Sequence, residues 1–482
     1  MSLRTSIIKN TAWLFTAQIV SITLLSIGGL MLARVWGNAV YGIYGFAISF
    51  VALFGFLIEF GLPTLLINQL SQRREEIQRF IKNYTAFKVV LAIVAFFLIT
   101  LVICLTDKSA EVKVTVVLIA CNTIIGSFMS FYYAVFRSFE KMKYEATLTM
   151  IFNALALVLI IAVLVGHLGL RIYVIASVAL TVLNLFVLLR VLGRTHALFG
   201  TKLDLPFIRQ TFRQAVPLAL STVFISIYFS LDTVMLSFWK DNATVGWYTA
   251  DYRVIFLLMT FINLFFATTF PVISRLLDRE NQMIRVILAM SLRIVVTLVL
   301  PATIALSLLA PQFVNLIFGA SFGPGAKALS ILIWAAFLSG ISMVYSNTVL
   351  ASGRKKIYAY GTAIGALLNI VLNILLIPRW SLNGSAVATV ASEIIVLIYF
   401  MIYCNKRVIG VPVESRLAKP LILSTILIPL FIISRSLPVH FLITGTGIGV
   451  LYFALLFAIK AVTPRDITDV IASLRSKEST TT

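Results

Sequence analysis

Long apolar runs separated by short polar segments make up nearly the whole of this sequence. A helix needs about 20 apolar residues to cross a bilayer, and it satisfies its own backbone hydrogen bonds there. The pattern therefore predicts an all-α polytopic membrane protein with about 14 transmembrane helices. The predicted spans are 11–33, 41–68, 84–106, 114–136, 147–166, 172–189, 216–239, 245–272, 287–310, 328–350, 359–377, 383–403, 420–434 and 441–459.

One predicted hairpin, residues 216–272, carries ionisable residues inside its apolar arms. Asp232 precedes the polar turn near Asn242, and Asp251 and Arg253 follow that turn. At ~1.5 Å per residue each charge lies roughly 15 Å from the turn, so the two arms hold their charges at similar depth. Charges inside a membrane helix generally face a cavity or one another, which makes an Asp232–Arg253 ion pair one hypothesis.

Composition and charge narrow the class further. The chain is 60% hydrophobic and has a mean hydropathy of +1.02, which excludes an ordinary soluble protein. Of its 39 Lys and Arg residues, 28 lie in the N-terminal tail, the even-numbered loops and the C-terminal tail, whereas eight lie in the odd-numbered loops. This excess places both termini in the cytoplasm of a multi-pass protein of the inner (cytoplasmic) cell membrane. Because the basic clusters alternate with apolar runs, the net charge of +21 does not indicate nucleic-acid binding.

A short repeat divides the chain. Residues 38–44 and 242–248 share four of seven residues, and each segment lies at the outer turn between two predicted spans. Six spans separate the copies, so the repeat keeps its orientation in the membrane. Chance similarity between apolar segments is the alternative to a true repeat.

The repeat predicts two parallel six-helix lobes and two further helices. We predict an N-terminal lobe at 1–189, a cytoplasmic linker at 190–215, a C-terminal lobe at 216–403, and helices 13 and 14 with a cytoplasmic tail at 404–482. Within the linker, residues 207–213 have the pattern of an amphipathic helix lying on the membrane. Inside the second span, Gly61 and Pro63 predict a kink.

Several segments, taken in their order, resemble one family. They are Ala215-Val216-Pro217-Leu218-Ala219-Leu220, Leu231-Asp232, Val245-Gly246-Trp247-Tyr248, Phe60-Gly61-Leu62-Pro63, Phe318-Gly319 and the stretch 369–389. Together they resemble the polysaccharide (O-antigen and exopolysaccharide) flippases, whose superfamily also holds multidrug antiporters and the lipid II flippase. One departure is Thr233, which stands where the family often has Arg after the Asp.

The resemblance implies a function. Such proteins move a polyprenyl-diphosphate-linked oligosaccharide from the inner to the outer leaflet for cell-surface polysaccharide assembly, by alternating access of two lobes. The implied partners are that substrate, membrane lipids and other polysaccharide-assembly proteins, and helices 13 and 14 are implied to hold the lipid tail of the substrate. No cofactor is implied.

Candidate substrate-binding residues follow from the chemistry of a diphosphate and sugars. Arg253 and Arg293 lie inside spans, and the planar guanidinium binds two phosphate oxygens at once. Lys88 is a third cation, with snorkelling to the inner interface as its alternative. The i,i+4 pair Asn369 and Asn373 is suited either to sugar hydroxyls or to bonding a neighbouring helix. Asp232 completes the predicted cavity set.

Three other acids are candidates for coupling to H⁺ or Na⁺. Asp251, Glu59 and Glu393 all lie inside predicted spans. A carboxyl group inside the membrane can carry a proton through a conformational cycle, although a hydrogen-bonded structural acid is the alternative. The three cysteines and three histidines are scattered, so we expect neither a metal site nor a disulfide framework.

Two rival functions remain open. A cation-coupled multidrug or metabolite antiporter would use the same fold, with an acidic cavity in place of a positive one. A membrane polysaccharide polymerase or ligase is the less favoured rival, because the predicted outer loops are short and hold no His–acid constellation. We therefore predict a transporter that is not an enzyme.

Overall fold

The computed structural model describes residues 3–195, 203–277, 281–412, 415–434 and 441–458. Over these ranges the chain is built from α-helices joined by short turns and 3₁₀ segments, with no strand. The helices are α1 Leu3–Ala52, α2 Gly55–Glu59, α3 Leu62–Leu70, α4 Ile77–Cys104, α5 Ala110–Ser138, α6 Met142–Val165, α7 Leu170–Thr195, α8 Leu205–Trp239, α9 Asn242–Leu276, α10 Asn281–Leu308, α11 Ala310–Ile317, α12 Ala326–Ala351, α13 Lys355–Arg407, α14 Ala418–Ser434 and α15 Phe441–Ala458.

The predicted all-α polytopic class is confirmed. Within the described ranges nine helices are long and apolar enough to cross a membrane, and three shorter apolar helical segments accompany them. Two of the nine, α1 and α13, continue across a predicted loop, because one residue of non-helical backbone replaces it. These residues are Gly37 (φ 74°, ψ 175°) and Ser381 (φ 53°, ψ −136°). The α13 helix contains two predicted spans, whereas α1 contains the first span and the beginning of the second, which continues into α2 and α3. The number of spans and the side of the termini stay predictions.

The chain divides into two compact units, Met1–Ala250 and Asp251–Thr482. In the first, a core of aromatic and aliphatic side chains joins α3, α4, α5, α7 and the beginning of α8. In the second, α12 packs on α10 and α13, and α14 packs on α10 and α15. The predicted lobe boundaries stay predictions, and residues 196–202 of the linker and the tail from 459 lie outside the described ranges.

The amphipathic segment predicted at 207–213 is helical and forms the beginning of α8. The same helix continues through Pro217 to Trp239, and the position of its first turns on the membrane surface stays a prediction. Asp204 caps the helix, accepting a hydrogen bond from the Phe207 N–H at 3.0 Å. Arg79 on α4 donates to the same carboxylate at 2.6 Å, and its guanidinium lies 5.1 Å from the Phe207 ring. Residues of the expected linker therefore pack on α4.

These contacts predict a pH dependence of stability. The Phe207 N–H and the Arg79 guanidinium hold the pKa of the Asp204 carboxyl below its usual range. A depressed folded-state pKa stabilises the protein above the unfolded pKa of about 3.9, and that contribution disappears as pH falls through the folded value. We expect Asp204→Asn, which keeps the helix cap, to lower the melting temperature at pH 7. The difference from wild type should shrink below about pH 4.

Differential scanning fluorimetry of the purified wild type and variant, at pH 7 and below about pH 4, measures this difference in melting temperature. The control is Asp107→Asn, because Asp107 is an exposed acid in the turn after α4. A difference for Asp204→Asn that stays constant across the pH range would contradict the assignment.

The two copies of the repeat lie against each other in the first unit. A Cβ added to Gly42 would stand 1.8 Å from the Asn242 carbonyl oxygen, and one added to Gly246 would stand 1.9 Å from the Asn38 carbonyl oxygen. The contact is therefore reciprocal, with each glycine touching the first residue of the other copy. Only glycine permits backbones to approach this closely.

Lys108 contacts the C-terminal end of α8 in the first unit. Its ammonium, in the turn between α4 and α5, donates a hydrogen bond to the Ser237 carbonyl near the end of α8. It also lies 5.3 Å from the Phe46 ring and 5.1 Å from the Phe238 ring, and burial lowers its pKa. A cation at a helix C-terminus and between two aromatic faces stabilises that end of the bundle.

Candidate functional site

The predicted kink at Gly61 and Pro63 is a complete break between α2 and α3. Phe60 (φ 49°) and Gly61 (φ 68°) both adopt left-handed backbone conformations. Pro63 has no N–H to donate to the Glu59 carbonyl, and its ring crowds that carbonyl in a regular helix. The sequence thus ends α2 inside an apolar segment, and its last carbonyl groups need donors from elsewhere.

Lys88 supplies one of these donors. Its side chain is 0% exposed, and its Nζ donates to the Ile58 carbonyl oxygen at 3.0 Å. The ammonium also lies 5.5 Å from the centre of the Phe128 ring on α5. Snorkelling to the interface is therefore wrong for Lys88, because the side chain points into the packed interior where the broken helix offers an acceptor.

Glu59 and Lys88, which the sequence assigned to different tasks, are neighbours in the structure. Glu59 is the last residue of α2 and is half-buried. Its carboxyl group interacts electrostatically with the Lys88 ammonium, although the ammonium makes its hydrogen bond to the Ile58 carbonyl. The break therefore gathers an acid, a buried cation and a helix end into one cluster, which we call the α2–α3 cluster (Ile58, Glu59, Phe60, Lys88).

The hairpin of α8 and α9 turns at Lys240 and Asp241, near the predicted position. Asp232 is 0% exposed, and its Oδ2 accepts a hydrogen bond from the Tyr248 hydroxyl at 2.8 Å. Sequence reasoning missed Tyr248 as a partner, although it and Asp232 stand equally far from Lys240 on the two arms. The predicted Asp232–Arg253 pair joins residues of the two compact units and stays a prediction.

Asp251 begins the second unit on α9. It is 1% exposed, and within the described ranges its Oδ2 is a buried oxygen without a hydrogen-bond partner. Arg253 follows it two residues later on the same helix and is half-buried. Such a carboxyl can hold a proton or contribute an oxygen to a hard cation.

A polar ladder crosses the break in α13. The Asn373 amide donates to Asn369 Oδ1 at 2.9 Å, and the Asn369 amide donates to Thr389 Oγ1 at 3.4 Å. Ser381 turns the chain, so residues before and after it face one another. Asn373 Oδ1 is buried and lacks a hydrogen-bond partner in the part of the chain that the structure describes. The ladder both bonds the two halves of α13 and leaves one acceptor for a sugar hydroxyl or a cation.

Arg293 and Glu393 are the remaining predicted residues of the second unit. Each is 6% exposed, Arg293 on α10 and Glu393 on α13 one turn beyond Thr389. A guanidinium inside an apolar helix suits a phosphate, and the oxygens of Glu393 and Thr389 suit a cation. Within the described ranges no three His, Cys, Asp or Glu residues form a metal-binding group.

A hydrogen-bond relay near Pro301 was not predicted from the sequence. Pro301 has no N–H, so the Thr297 carbonyl in α10 lacks its usual helical donor. The Tyr452 hydroxyl on α15 donates to that carbonyl at 2.9 Å, and Ser424 on α14 donates to the Tyr452 oxygen at 3.4 Å. The sequence signal for this contact is Pro301, because a proline leaves the carbonyl four residues before it without a helical donor. The relay fixes α14 and α15 onto α10.

Removing the Tyr452 hydroxyl should loosen this attachment. Tyr452→Phe leaves the buried Thr297 carbonyl without a donor, which costs about 1–3 kcal/mol. We expect a lower midpoint of heat-induced loss of monodisperse protein in size-exclusion chromatography. The control is Tyr360→Phe, because Tyr360 is 60% exposed and should tolerate the change. Equal midpoints for the two variants would show that the Tyr452 hydroxyl does not stabilise the protein.

Sequence comparison places these features among known proteins. The sequence model of the family described as polysaccharide biosynthesis protein matches residues 7–277, and that of the family MatE matches residues 217–375. The probable low-salt glycan biosynthesis flippase Agl15 of Haloferax volcanii is 26% identical over 166 residues, 34% of this chain and 35% of that protein. The probable flippase AglR of the same organism is 27% identical over 169 residues, 34% of this chain and 35% of that protein. The chain thus spans about a third of the length of these curated relatives.

Solved structures resemble the fold over most of the chain. The lipid II flippase MurJ in an inward closed conformation has a TM-score of 0.74 at 17% identity, covering 94% of this chain and 98% of that one. An inward-facing multidrug resistance MATE family transporter of the MOP superfamily has a TM-score of 0.65 at 16% identity, covering 83% of this chain and 96% of that one. At these identities the similarity establishes the fold.

Proposed function

The chain belongs to the polysaccharide biosynthesis protein family, and from this premise we propose that it is a flippase for a lipid-linked oligosaccharide. The substrate is a polyprenyl-diphosphate-linked oligosaccharide, moved from the inner to the outer leaflet for cell-surface polysaccharide assembly. Alternating access of two lobes moves the polar head across the membrane, and no covalent step is involved.

The observation that carries this proposal is the presence of Arg253 and Arg293 inside apolar helices of a chain of this family. A diphosphate cannot enter hydrocarbon without compensating positive charge, and arginine binds two phosphate oxygens in a planar geometry. Asn369 and Asn373 are proposed to bind sugar hydroxyls, and Asp232 is a further proposed cavity residue. Lys88, whose ammonium donates to the Ile58 carbonyl, is a third cation in this proposal.

Energy for transport comes, in this proposal, from a gradient of H⁺ or Na⁺. Asp251, Glu59 and Glu393 are the proposed coupling acids. We place the protein in the inner, cytoplasmic membrane with both termini in the cytoplasm, beside other polysaccharide-assembly proteins. The excess of basic residues in alternate loops supports this orientation.

A second candidate is a cation-coupled multidrug or metabolite antiporter, which the MatE match over residues 217–375 favours. The two candidates differ in the charge of their ligand, because a diphosphate is anionic and typical exported drugs are cationic. A membrane polymerase or ligase has less support, since two curated relatives bear the names of flippases.

Ligand-induced stabilisation of the purified protein separates these candidates. A ligand that binds the folded state raises the melting temperature according to its concentration and affinity. We expect a polyprenyl-diphosphate-linked oligosaccharide to raise it, a polyprenyl monophosphate to raise it less, and a cationic dye such as ethidium to leave it unchanged. Stabilisation by ethidium alone would favour the antiporter.

A further inference from the structure

The two ends of α13 meet at one end of the second unit, and both ends are basic. The helix breaks at Ser381, so residues before the break pack on residues after it. The Arg354 guanidinium donates to the Tyr403 hydroxyl at 3.1 Å, and the Tyr399 hydroxyl donates to the Ile357 carbonyl at 3.2 Å. The first of these contacts joins residues that lie 49 positions apart along the chain.

Five cations lie at this end, and we call them the α13 basic surface (Arg354, Lys355, Lys356, Lys406, Arg407). Arg354 is half-buried, and its guanidinium carbon lies 5.5 Å from the centre of the Tyr403 ring. The other four side chains are exposed. A guanidinium has several N–H donors, so one that is held by a single hydroxyl and a ring keeps donors for a phosphate oxygen.

Acids do not compensate these charges in the part of the chain that the structure describes. Between Asn281 and Ser392 the sequence contains no Asp or Glu. Glu393 is buried, and at ~1.5 Å per residue it lies roughly 20 Å along the helix from Arg407. The next acid along the chain, Glu414, is outside the described ranges. Over those ranges the ion pairs of the protein include none of the five cations.

The turn at the corresponding place in the first unit does have acid partners. Arg137, before the turn between α5 and α6, donates to Glu145 at 2.8 Å, and Glu140 in that turn accepts from Arg74 at 3.0 Å. This turn follows the fourth predicted span, as the turn between α12 and α13 follows the tenth. The general excess of basic residues in cytoplasmic turns accounts for positive charge in both. It does not account for the missing acids in one, where the charge is open to an anion from outside the chain.

We propose that the α13 basic surface binds the head group of an anionic phospholipid, which bridges the two ends of the helix. The phosphodiester accepts hydrogen bonds from Arg354, and the exposed lysines attract its negative charge. Tyr360, which is 60% exposed near the beginning of α13, suits the level of lipid head groups. An anionic leaflet concentrates this ligand beside the protein, which favours a lipid over a soluble anion. The site is independent of the transported substrate.

Lipid binding to the purified full chain tests this surface. Native mass spectrometry from detergent measures the dissociation constants of phosphatidylglycerol, which is anionic, and of phosphatidylcholine, which has no net charge. We expect wild type to bind phosphatidylglycerol roughly tenfold more tightly than phosphatidylcholine. The double variant Lys355→Gln, Lys356→Gln and the double variant Lys406→Gln, Arg407→Gln should each weaken binding of phosphatidylglycerol roughly tenfold, because each removes two cations from the surface. Binding of phosphatidylcholine should not change in either variant.

The matched control is the double variant Lys141→Gln, Lys143→Gln, which removes two exposed lysines at the turn between α5 and α6. It should bind phosphatidylglycerol within about twofold of wild type, because exposed charges away from the site are screened. A loss as large as in the α13 variants would overturn the proposal, since it would indicate attraction to the whole positive chain. Equal affinity of wild type for the two lipids would overturn it as well.

A competition experiment separates a lipid head group from a free anion. Inorganic phosphate is added to the complex of wild type with phosphatidylglycerol, and we expect the lipid to stay bound. Displacement by inorganic phosphate would contradict the assignment to a lipid, because the surface would then be a site for a soluble anion. Since no lipid-linked oligosaccharide is present, a chain that passes these tests but fails to move that substrate would lose the proposed function and keep the lipid site.

Discussion

Gly42→Ala is expected to destabilise the protein severely, and Gly246→Ala should do the same. The new methyl group would stand 1.8 Å from the Asn242 carbonyl oxygen in the first variant and 1.9 Å from the Asn38 carbonyl oxygen in the second. Neither oxygen can move aside alone, because each belongs to a helix backbone. Overpacking generally costs about 1–3 kcal/mol even where side chains can adjust, so a backbone clash should reach or exceed that range. The expected result is a markedly lower melting temperature and poor recovery of monodisperse protein.

Gly126→Ala is the matched control for both variants. Gly126 lies inside α5, and an added Cβ would meet nothing within 4 Å. Alanine should therefore stabilise that helix by about 0.5–1 kcal/mol, the opposite sign from the other two. If Gly42→Ala and Gly246→Ala melted like Gly126→Ala, the two copies of the repeat would not be in backbone contact.

Replacing the two intramembrane arginines should have the second large effect, on substrate affinity. Each charge-assisted contact to a phosphate is worth about 1.5–3 kcal/mol, so Arg293→Gln or Arg253→Gln should weaken binding of a polyprenyl-diphosphate-linked oligosaccharide by roughly 10- to 150-fold. Lysine at either position keeps the charge but not the planar pair of donors, and should recover only part of the affinity. Binding is measured by microscale thermophoresis with a fluorescent substrate.

Arg171→Gln serves as the control for this experiment. Arg171 is an exposed arginine near the beginning of α7, so its loss removes a positive charge without changing the interior of either unit. It should leave affinity within about twofold of wild type, because exposed charges are screened by salt. Equal losses in all three variants would indicate general electrostatic attraction, and no loss in any of them would remove the arginines from the binding site.

The fold class was predictable because the length and hydrophobicity of each apolar run indicate that it lies in a membrane. A run of about 20 apolar residues predicts a membrane helix whatever the rest of the chain does. The hairpin turn and the break at Gly61 and Pro63 were predictable for a similar reason, since both depend on backbone preferences of neighbouring residues. The start of α8 was not, because an amphipathic pattern does not reveal whether a helix lies on a membrane or packs on α4.

The site was less predictable, because its contacts depend on how helices pack. Glu59 and Lys88 were both candidates, yet their separation along the sequence contains no sign that α4 would place the ammonium against the end of α2. The repeat could be recognised in the sequence, but the contact between its two copies depends on how α1 and α9 pack. Tyr452 was invisible as a partner, because its acceptor is defined by a proline in another helix. Local chemistry could be inferred from residues, whereas pairing could not.

Transbilayer movement of the substrate tests the central claim most directly. The purified protein is reconstituted in vesicles with a fluorescent polyprenyl-diphosphate-linked oligosaccharide, and a membrane-impermeant reagent reports how much of the head group reaches the opposite leaflet over time. We expect movement that depends on the protein, responds to an imposed pH gradient, and is strongly reduced in the Arg253→Gln, Arg293→Gln double variant. The account would be contradicted if, under every gradient, the lipid-linked oligosaccharide moved no faster than in protein-free vesicles. The same preparation would have to transport a cationic dye, which shows that the protein is active.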